Sequence, residues 1–411
     1  MSVKEMQPRW DIFCRIVDNF GDIGICWRLS RQLAHEHGLK VRLFIDDFPT
    51  ASKIILGLDT NQTIQTIHGV EVNSWTIAET AAAPADVVIE NFSCGLPDAY
   101  INQLHLQKIN TPESTSNHTI WINLDYLSAE LWVNDFHAKP SRHPSLPLTK
   151  HFFFPGFTVE TGGLIREKNL IKAREEFLNS PALQKTFWQK LEIAETIPSP
   201  IKISLFFYPE AQINALFLAL AENSQPVKVF LPFNGDITEL NTILTDFKLT
   251  IDEVFQSGNL TIHLMPFLSQ PDYDYLLAAC DLNFVRGEDS WIRAIWAGKP
   301  FIWQPYIQTE DTHIIKLKAF LEVYTQGTDN EENVVIKTML YNANLLWSGK
   351  TQTNRITLEN NASQIQLWQD LMSHLPDLQT YAMQRADSFI AQQDLATKLV
   401  IFSENLMKNK V

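Results

Sequence analysis

The chain has 411 residues, 45% of them hydrophobic and 19% charged, with a formal net charge of −14. That length exceeds one ordinary core and implies about two domains of roughly 150–200 residues each, while no apolar run approaches the ~20 residues of a membrane span. The acidic balance argues against a nucleic-acid partner, because such proteins gather Lys and Arg on one face and gain affinity by releasing counterions.

Met1 to Trp10 holds no apolar h-region, so no secretory signal is expected and the cytoplasm is the expected compartment. Cys14, Cys26, Cys94 and Cys280 lie far apart without a CxxC pair, which reads as buried free thiols in a reducing environment. The histidines form no HExxH or His/Cys cluster, so no metal is expected.

Asp11 to Val17 reads as an apolar strand, Asp18 to Gly24 as a turn, and Ile25 to His37 as a helix halted by Gly38. Val41 to Ile45 resumes an apolar run. This βαβ opening implies a parallel sheet covered by helices, continued by short strands at Asp86 to Ile89 and Thr119 to Leu124. From Asp135 to Gly163 the residues Pro140, Pro144, Pro147, Pro155, Gly156, Gly162 and Gly163 give the composition of a long loop, a kind of segment that tends to be functional.

A helical stretch from Glu167 to Glu195 leads to Pro198-Ser199-Pro200, where the domain linker is placed. Alternation then restarts, with strands at Ile201 to Tyr208, Val227 to Leu231, Leu260 to Met265, Leu282 to Val285 and Phe301 to Gln304, and helices at Tyr273 to Cys280 and Trp291 to Ala297. Beyond Ser363 the chain is mainly helical, and it holds no internal repeat. The expectation is two Rossmann-like α/β domains, 1–185 and 198–362, with the helices of 363–411 packing back across them. Ligands of such sheets bind at the carboxyl ends of the strands, so the sites are expected to face a central cleft.

Three constellations carry possible chemistry. Asp18-Asn19-Phe20-Gly21-Asp22-Ile23-Gly24 is neither a Walker A loop nor GxGxxG. Its two carboxylates, four residues apart, can divide labour between taking a proton and orienting a nucleophile, although Asp22 can equally just cap a helix. Arg286-Gly287-Glu288-Asp289-Ser290 is a strand-to-helix turn whose exposed N–H groups suit a diphosphate, with capping by Asp289 and Ser290 as the plain alternative. Phe207-Tyr208 and Pro266-Phe267-Leu268-Ser269-Gln270 end two strands on one rim, where an aromatic face and an amide suit a pyrimidine base; singly, Phe207 and Phe267 read as core residues.

The run Trp10 to Gly24, with Phe153-Phe154-Pro155-Gly156-Phe157, Thr161-Gly162-Gly163, Asp281 to Ser290 and Trp296-Ala297-Gly298-Lys299-Pro300-Phe301, resembles the elongation factor P arginine rhamnosyltransferases over nearly the whole chain. The resemblance implies a GT-B fold, with an N-terminal acceptor domain and a C-terminal donor domain. It further implies metal-independent, inverting transfer of rhamnose from dTDP-β-L-rhamnose to a guanidine nitrogen of one arginine of elongation factor P, with no cofactor besides the donor. By it Asp22 is the general base, Asp18 its partner, and Asn19, Phe20 and Gly21 line the acceptor cleft. Glu288, Asp289 and Ser290 hold the donor's diphosphate and sugar, while Tyr208, Phe267, Gln270 and Arg286 line its nucleotide. The alternative is a nucleotide-sugar-dependent GT-B enzyme with another acceptor; a rival of another class is a non-catalytic nucleotide- or peptide-binding protein.

Overall fold

The computed structural model describes residues 8–17, 20–80, 82–110, 119–194, 199–232, 254–326, 331–350 and 360–408. Asp18, Asn19 and Pro198 lie outside them. The chain forms two compact units, Met1–Lys168 with Gln392–Val411, and Asn169–Ala391. The first break therefore falls at Lys168/Asn169, whereas the sequence reading puts it between 185 and 198. Among the described residues no helix is long and apolar enough to cross a membrane.

The first unit is an eight-stranded sheet of β1 (Arg9–Cys14), β2 (Lys40–Ile45), β3 (Ile64–Ile67), β4 (Val70–Ser74), β5 (Val87–Asn91), β6 (Ile120–Leu124), β7 (Pro140–Arg142) and β8 (Thr149–Phe153), in the order β3-β4-β2-β1-β5-β6-β8-β7. Six strands run parallel, and the two edge strands β3 and β7 pair antiparallel. The central strands are buried on both faces and mostly apolar, with Asp11, Glu90, Asn91 and Asn123 as buried polar exceptions. Phe13 stacks on Phe44 at 4.6 Å and meets the edges of Trp75 and Tyr100. Within this core the fully buried carboxylate of Asp11 takes two hydrogen bonds from Arg42, at 2.7 and 2.6 Å, and one from the Tyr100 hydroxyl.

Three expectations change here. The strand ends at Cys14, not Val17, because side chains take the next free amides, and the helix begins at Phe20, five residues before Ile25. The segment 135–163 is not one loop: β7 and β8 extend the sheet, with Pro140 tolerated on the edge strand, where a missing N–H costs no ladder bond. The β3–β4 hairpin, unforeseen, turns through His68 and Gly69 with φ of 46° and 75°, as a two-residue turn of that twist demands.

The C-terminal helix Leu395–Lys408 belongs to this unit. Leu395 N–H donates to Leu164 O at 3.0 Å and Lys398 Nζ to Thr161 O at 2.6 Å. Gly163, at φ 73°, lies so close to this returning segment that a Cβ would meet Gln393 O at 2.5 Å. The Thr161-Gly162-Gly163 motif thus has a structural reason.

The second unit holds β9 (Ile201–Leu205), β10 (Val227–Pro232), β11 (Phe255–Ser257), β12 (Leu260–Met265), β13 (Leu282–Arg286) and β14 (Phe301–Gln304), in the order β11-β12-β10-β9-β13-β14, all parallel except edge strand β11. β9 stops at Leu205, short of Tyr208, whose N–H turns to the Gln304 side chain. The expected helix from Glu167 to Glu195 is two, Leu170–Leu178 and Pro181–Lys190, broken where Ser180 caps the second and Pro181 starts it. Trp291 stacks on Trp303 at 3.6 Å beneath the sheet's end, and a bidentate Arg293–Asp274 pair ties the helices Asp289–Ala297 and Gln270–Ala279 together.

Candidate functional site

Each sheet reverses its strand order once, at β1/β5 in the first unit and at β9/β13 in the second. The loops leaving those strands diverge to opposite faces, which opens a crevice at their carboxyl ends. Two of the three constellations read from the sequence stand at these two points, the first through its described residues Phe20 to Gly24.

In the first unit, Ile16 N–H donates to Oδ1 of Asp46 at 3.0 Å and Val17 N–H to Oδ2 of Asp22 at 2.8 Å. Asp22 lies in the first turn of the helix Phe20–Glu36, at the positive end of its dipole, and is 3% exposed. Its bond folds the preceding loop onto that turn, in the manner of a capping residue reaching back. Capping and chemistry are therefore compatible at this position. Beneath it the Cys14 thiol is pushed well up by its hydrogen bond with Cys26, by burial, and by the charges of Asp22 and Asp46. Phe20 and Gly21 are half-buried on the same turn, with Lys53 Nζ 5.8 Å from the Phe20 ring. Across the switch point Phe92 and Ser93 adopt φ of 54° and 51°, and Phe92 stacks on Tyr126 at 4.3 Å.

In the second unit, Gly287 at φ 62° lets β13 turn sharply into the helix Asp289–Ala297. The Ser290 hydroxyl closes that turn by accepting from Arg286 N–H at 3.1 Å and donating to Arg286 O. The Arg286 guanidinium lies 4.0 Å from the Phe206 ring centre and 4.6 Å from that of Tyr208, and donates to Phe207 O at 2.8 Å. Its charge is thereby fixed beside the amides of the helix start, an arrangement suited to a polyphosphate. Gln304 and Trp303 buttress the turn: Gln304 Oε1 accepts from Tyr208 N–H at 2.8 Å, and Trp303 Nε1 donates to Gly287 O at 2.7 Å.

The structure thus brings Tyr208, Arg286 and Ser290 together, with Glu288 and Asp289 half-buried on the same turn. Phe267 and Gln270 stand at the end of β12, beyond β10 from β9. The helix that Gln270 begins nonetheless returns to the turn through Tyr273, whose phenol burial pushes well up, Ser290 and Arg286 opposing and Asp289 adding. The sequence reading assigns no site role to Phe206, Tyr273, Trp303 or Gln304 in the second unit, nor to Asp46 in the first. Asp46 carried a legible signal, an acid directly after a predicted strand; Tyr273 carried none. Among the described residues no three His, Cys, Asp or Glu side chains come together as a cation cage.

The sequence profile of a family described as elongation factor P rhamnosyltransferase EarP matches residues 10–404. A protein-arginine rhamnosyltransferase of Pseudomonas putida is 40% identical over 400 residues, covering 97% of this chain and 100% of its own. One from Shewanella oneidensis is 36% identical over 410 residues, covering 98% and 99%. A structure solved to explain EarP-mediated arginine glycosylation of translation elongation factor EF-P superposes with a TM-score of 0.64 at 32% identity, over 97% of this chain and 99% of that one. Two Rossmann-like units in one chain are the GT-B organisation.

Proposed function

The chain belongs to the elongation factor P rhamnosyltransferase family and is a glycosyltransferase, and from that premise we propose that it transfers L-rhamnose from dTDP-β-L-rhamnose to a guanidine nitrogen of one arginine of translation elongation factor P, with inversion. The observation that carries this reading is the end-to-end identity with relatives named protein-arginine rhamnosyltransferase.

The chemistry is demanding, because an arginine stays protonated below about pH 12 and its delocalised nitrogens attack poorly. Asp22 takes the guanidinium proton as the nitrogen bonds to the anomeric carbon, and the bond from that carbon to the diphosphate oxygen breaks on the opposite side. Back-side displacement turns the β-linked sugar to α. Asp18, four residues earlier, orients the guanidinium through charge-assisted hydrogen bonds, with Asn19, Phe20 and Gly21 lining the same acceptor side.

In the second unit the leaving dTDP gains negative charge, which the charge of Arg286, anchored by its bond to Phe207 O, and the helix start at Ser290 offset. Glu288 and Asp289 sit badly beside phosphate and well beside sugar hydroxyls. Tyr208, Phe267 and Gln270 hold the thymine by stacking and by the amide's hydrogen-bonding edge. No cofactor besides the donor takes part.

The deciding experiment incubates the protein with dTDP-β-L-rhamnose and the elongation factor P of the same genome, then reads intact mass and maps the site. One added deoxyhexose on one arginine is the expected result. Turnover of the donor without modification of elongation factor P moves the assignment to another acceptor.

A further inference from the structure

Two consecutive amides leave the end of β1, and a different carboxylate takes each. Ile16 N–H goes to Asp46 and Val17 N–H to Asp22. Asp46 directly follows β2, whose Ile45 pairs in register with Cys14, so it stands one strand over at the level where β1 ends. On the other flank Asn91, fully buried at the end of β5, donates from Nδ2 to Phe13 O at 2.9 Å. The exit of β1 is therefore gripped from both neighbouring strands, and Asp22 hangs from the next amide along. Asp46 itself is exposed, where a single bond to a main-chain N–H adds little to global stability. Its effect is local.

We propose that Asp46 is a positioning residue for the transfer reaction, fixing the turn after β1 by accepting the Ile16 N–H and so holding Asp22 at the angle proton transfer requires. The proposal rests on the reading of Asp22 as general base. Positioning by an acceptor, rather than by charge, predicts that an asparagine serves in place of the aspartate, since its amide oxygen takes the same N–H.

The test compares Asp46→Ala, Asp46→Asn and Asp22→Asn in single-turnover and steady-state transfer, with hydrogen exchange at the Ile16 and Val17 amides as a readout independent of activity. Asp46→Ala is expected to lower kcat by about 10-fold or more, with the donor KM within about twofold, because sub-ångström misplacement of a reacting group costs rate rather than binding. It should also speed exchange at both amides. Asp46→Asn should keep at least about half of kcat and the wild-type exchange rates, because the acceptor remains. An unchanged kcat in Asp46→Ala beside an inactive Asp22→Asn overturns the proposal and leaves the base reading intact. Equal loss in Asp46→Asn and Asp46→Ala overturns it too, because charge rather than the acceptor is then at work. Full activity in Asp22→Asn removes the base reading, and with it any action of Asp46 through that base.

Discussion

The backbone N–H of Val17 donates to Oδ2 of Asp22 at 2.8 Å, so the carboxylate that the proposed chemistry needs also holds its own loop against the first helical turn. The two roles separate in Asp22→Asn, because the amide oxygen can still accept from Val17 while no longer taking a proton. Transfer is expected to fall about 10²–10⁴-fold, the range of general-base catalysis, with the thermal midpoint within a few degrees of wild type. A variant keeping more than about a tenth of the rate would falsify the assignment of Asp22 as base.

Arg286 yields a second prediction, because its guanidinium lies over the rings of both Phe206 and Tyr208 while also donating to Phe207 O. Lysine keeps the charge and loses both the plane and the fork. By calorimetry with dTDP, Arg286→Lys should weaken binding about 10-fold and Arg286→Ala about 100-fold, or ~1.4 and ~2.8 kcal/mol. If alanine binds dTDP as wild type does, the nucleotide does not use this turn.

Much of this was legible in sequence, and the exceptions have physical causes. The strand-to-helix turn at Arg286 to Ser290 was readable because apolar strand, glycine and capping serine follow each other without a gap. The helix start at Phe20 was not, because Gly21 and Gly24 signal a turn, and tertiary packing of the buried Ile23, Gly24 and Ile25 overrides that weak preference. β8 was hidden by Pro147 and Pro155 on its flanks, which mark the ends of a strand as readily as a loop. Tyr273 was beyond reach: it reaches the turn by a helix packed across the sheet's end, a tertiary relation that local periodicity does not encode.

The core of the first unit carries its own prediction. Asp11 is fully buried on β1, and its charge is matched by the bidentate Arg42 on the neighbouring strand. Arg42→Met leaves that carboxylate with only neutral donors, a change that costs about 3–5 kcal/mol when one partner of a buried pair is removed. Denaturant unfolding followed by fluorescence should show the early loss of this unit, and adding Asp11→Asn should recover part of it. No change in the midpoint for Arg42→Met would mean that the pair contributes nothing to stability.

Acid stability should depend on His137, at the end of the helix Trp132–Phe136. Its Nδ1 accepts from Phe154 N–H at 3.1 Å, which requires that nitrogen to be unprotonated. Burial, aided by the Lys398 charge, pushes its pKa down to about 4, from an ordinary value near ~6.5. The unfolded chain therefore takes up a proton in this window that the folded chain refuses. Stability is fully present above about pH 6.5, declines as pH falls toward about 4, and loses nothing further from this group below that. Solvent screening at a half-buried ring trims the effect to roughly 1–2 kcal/mol. In His137→Asn, whose amide oxygen can take the Phe154 N–H without titrating, stability against urea should vary less between pH 6.5 and 4 than in wild type. An unaltered slope would assign the acid sensitivity to other groups.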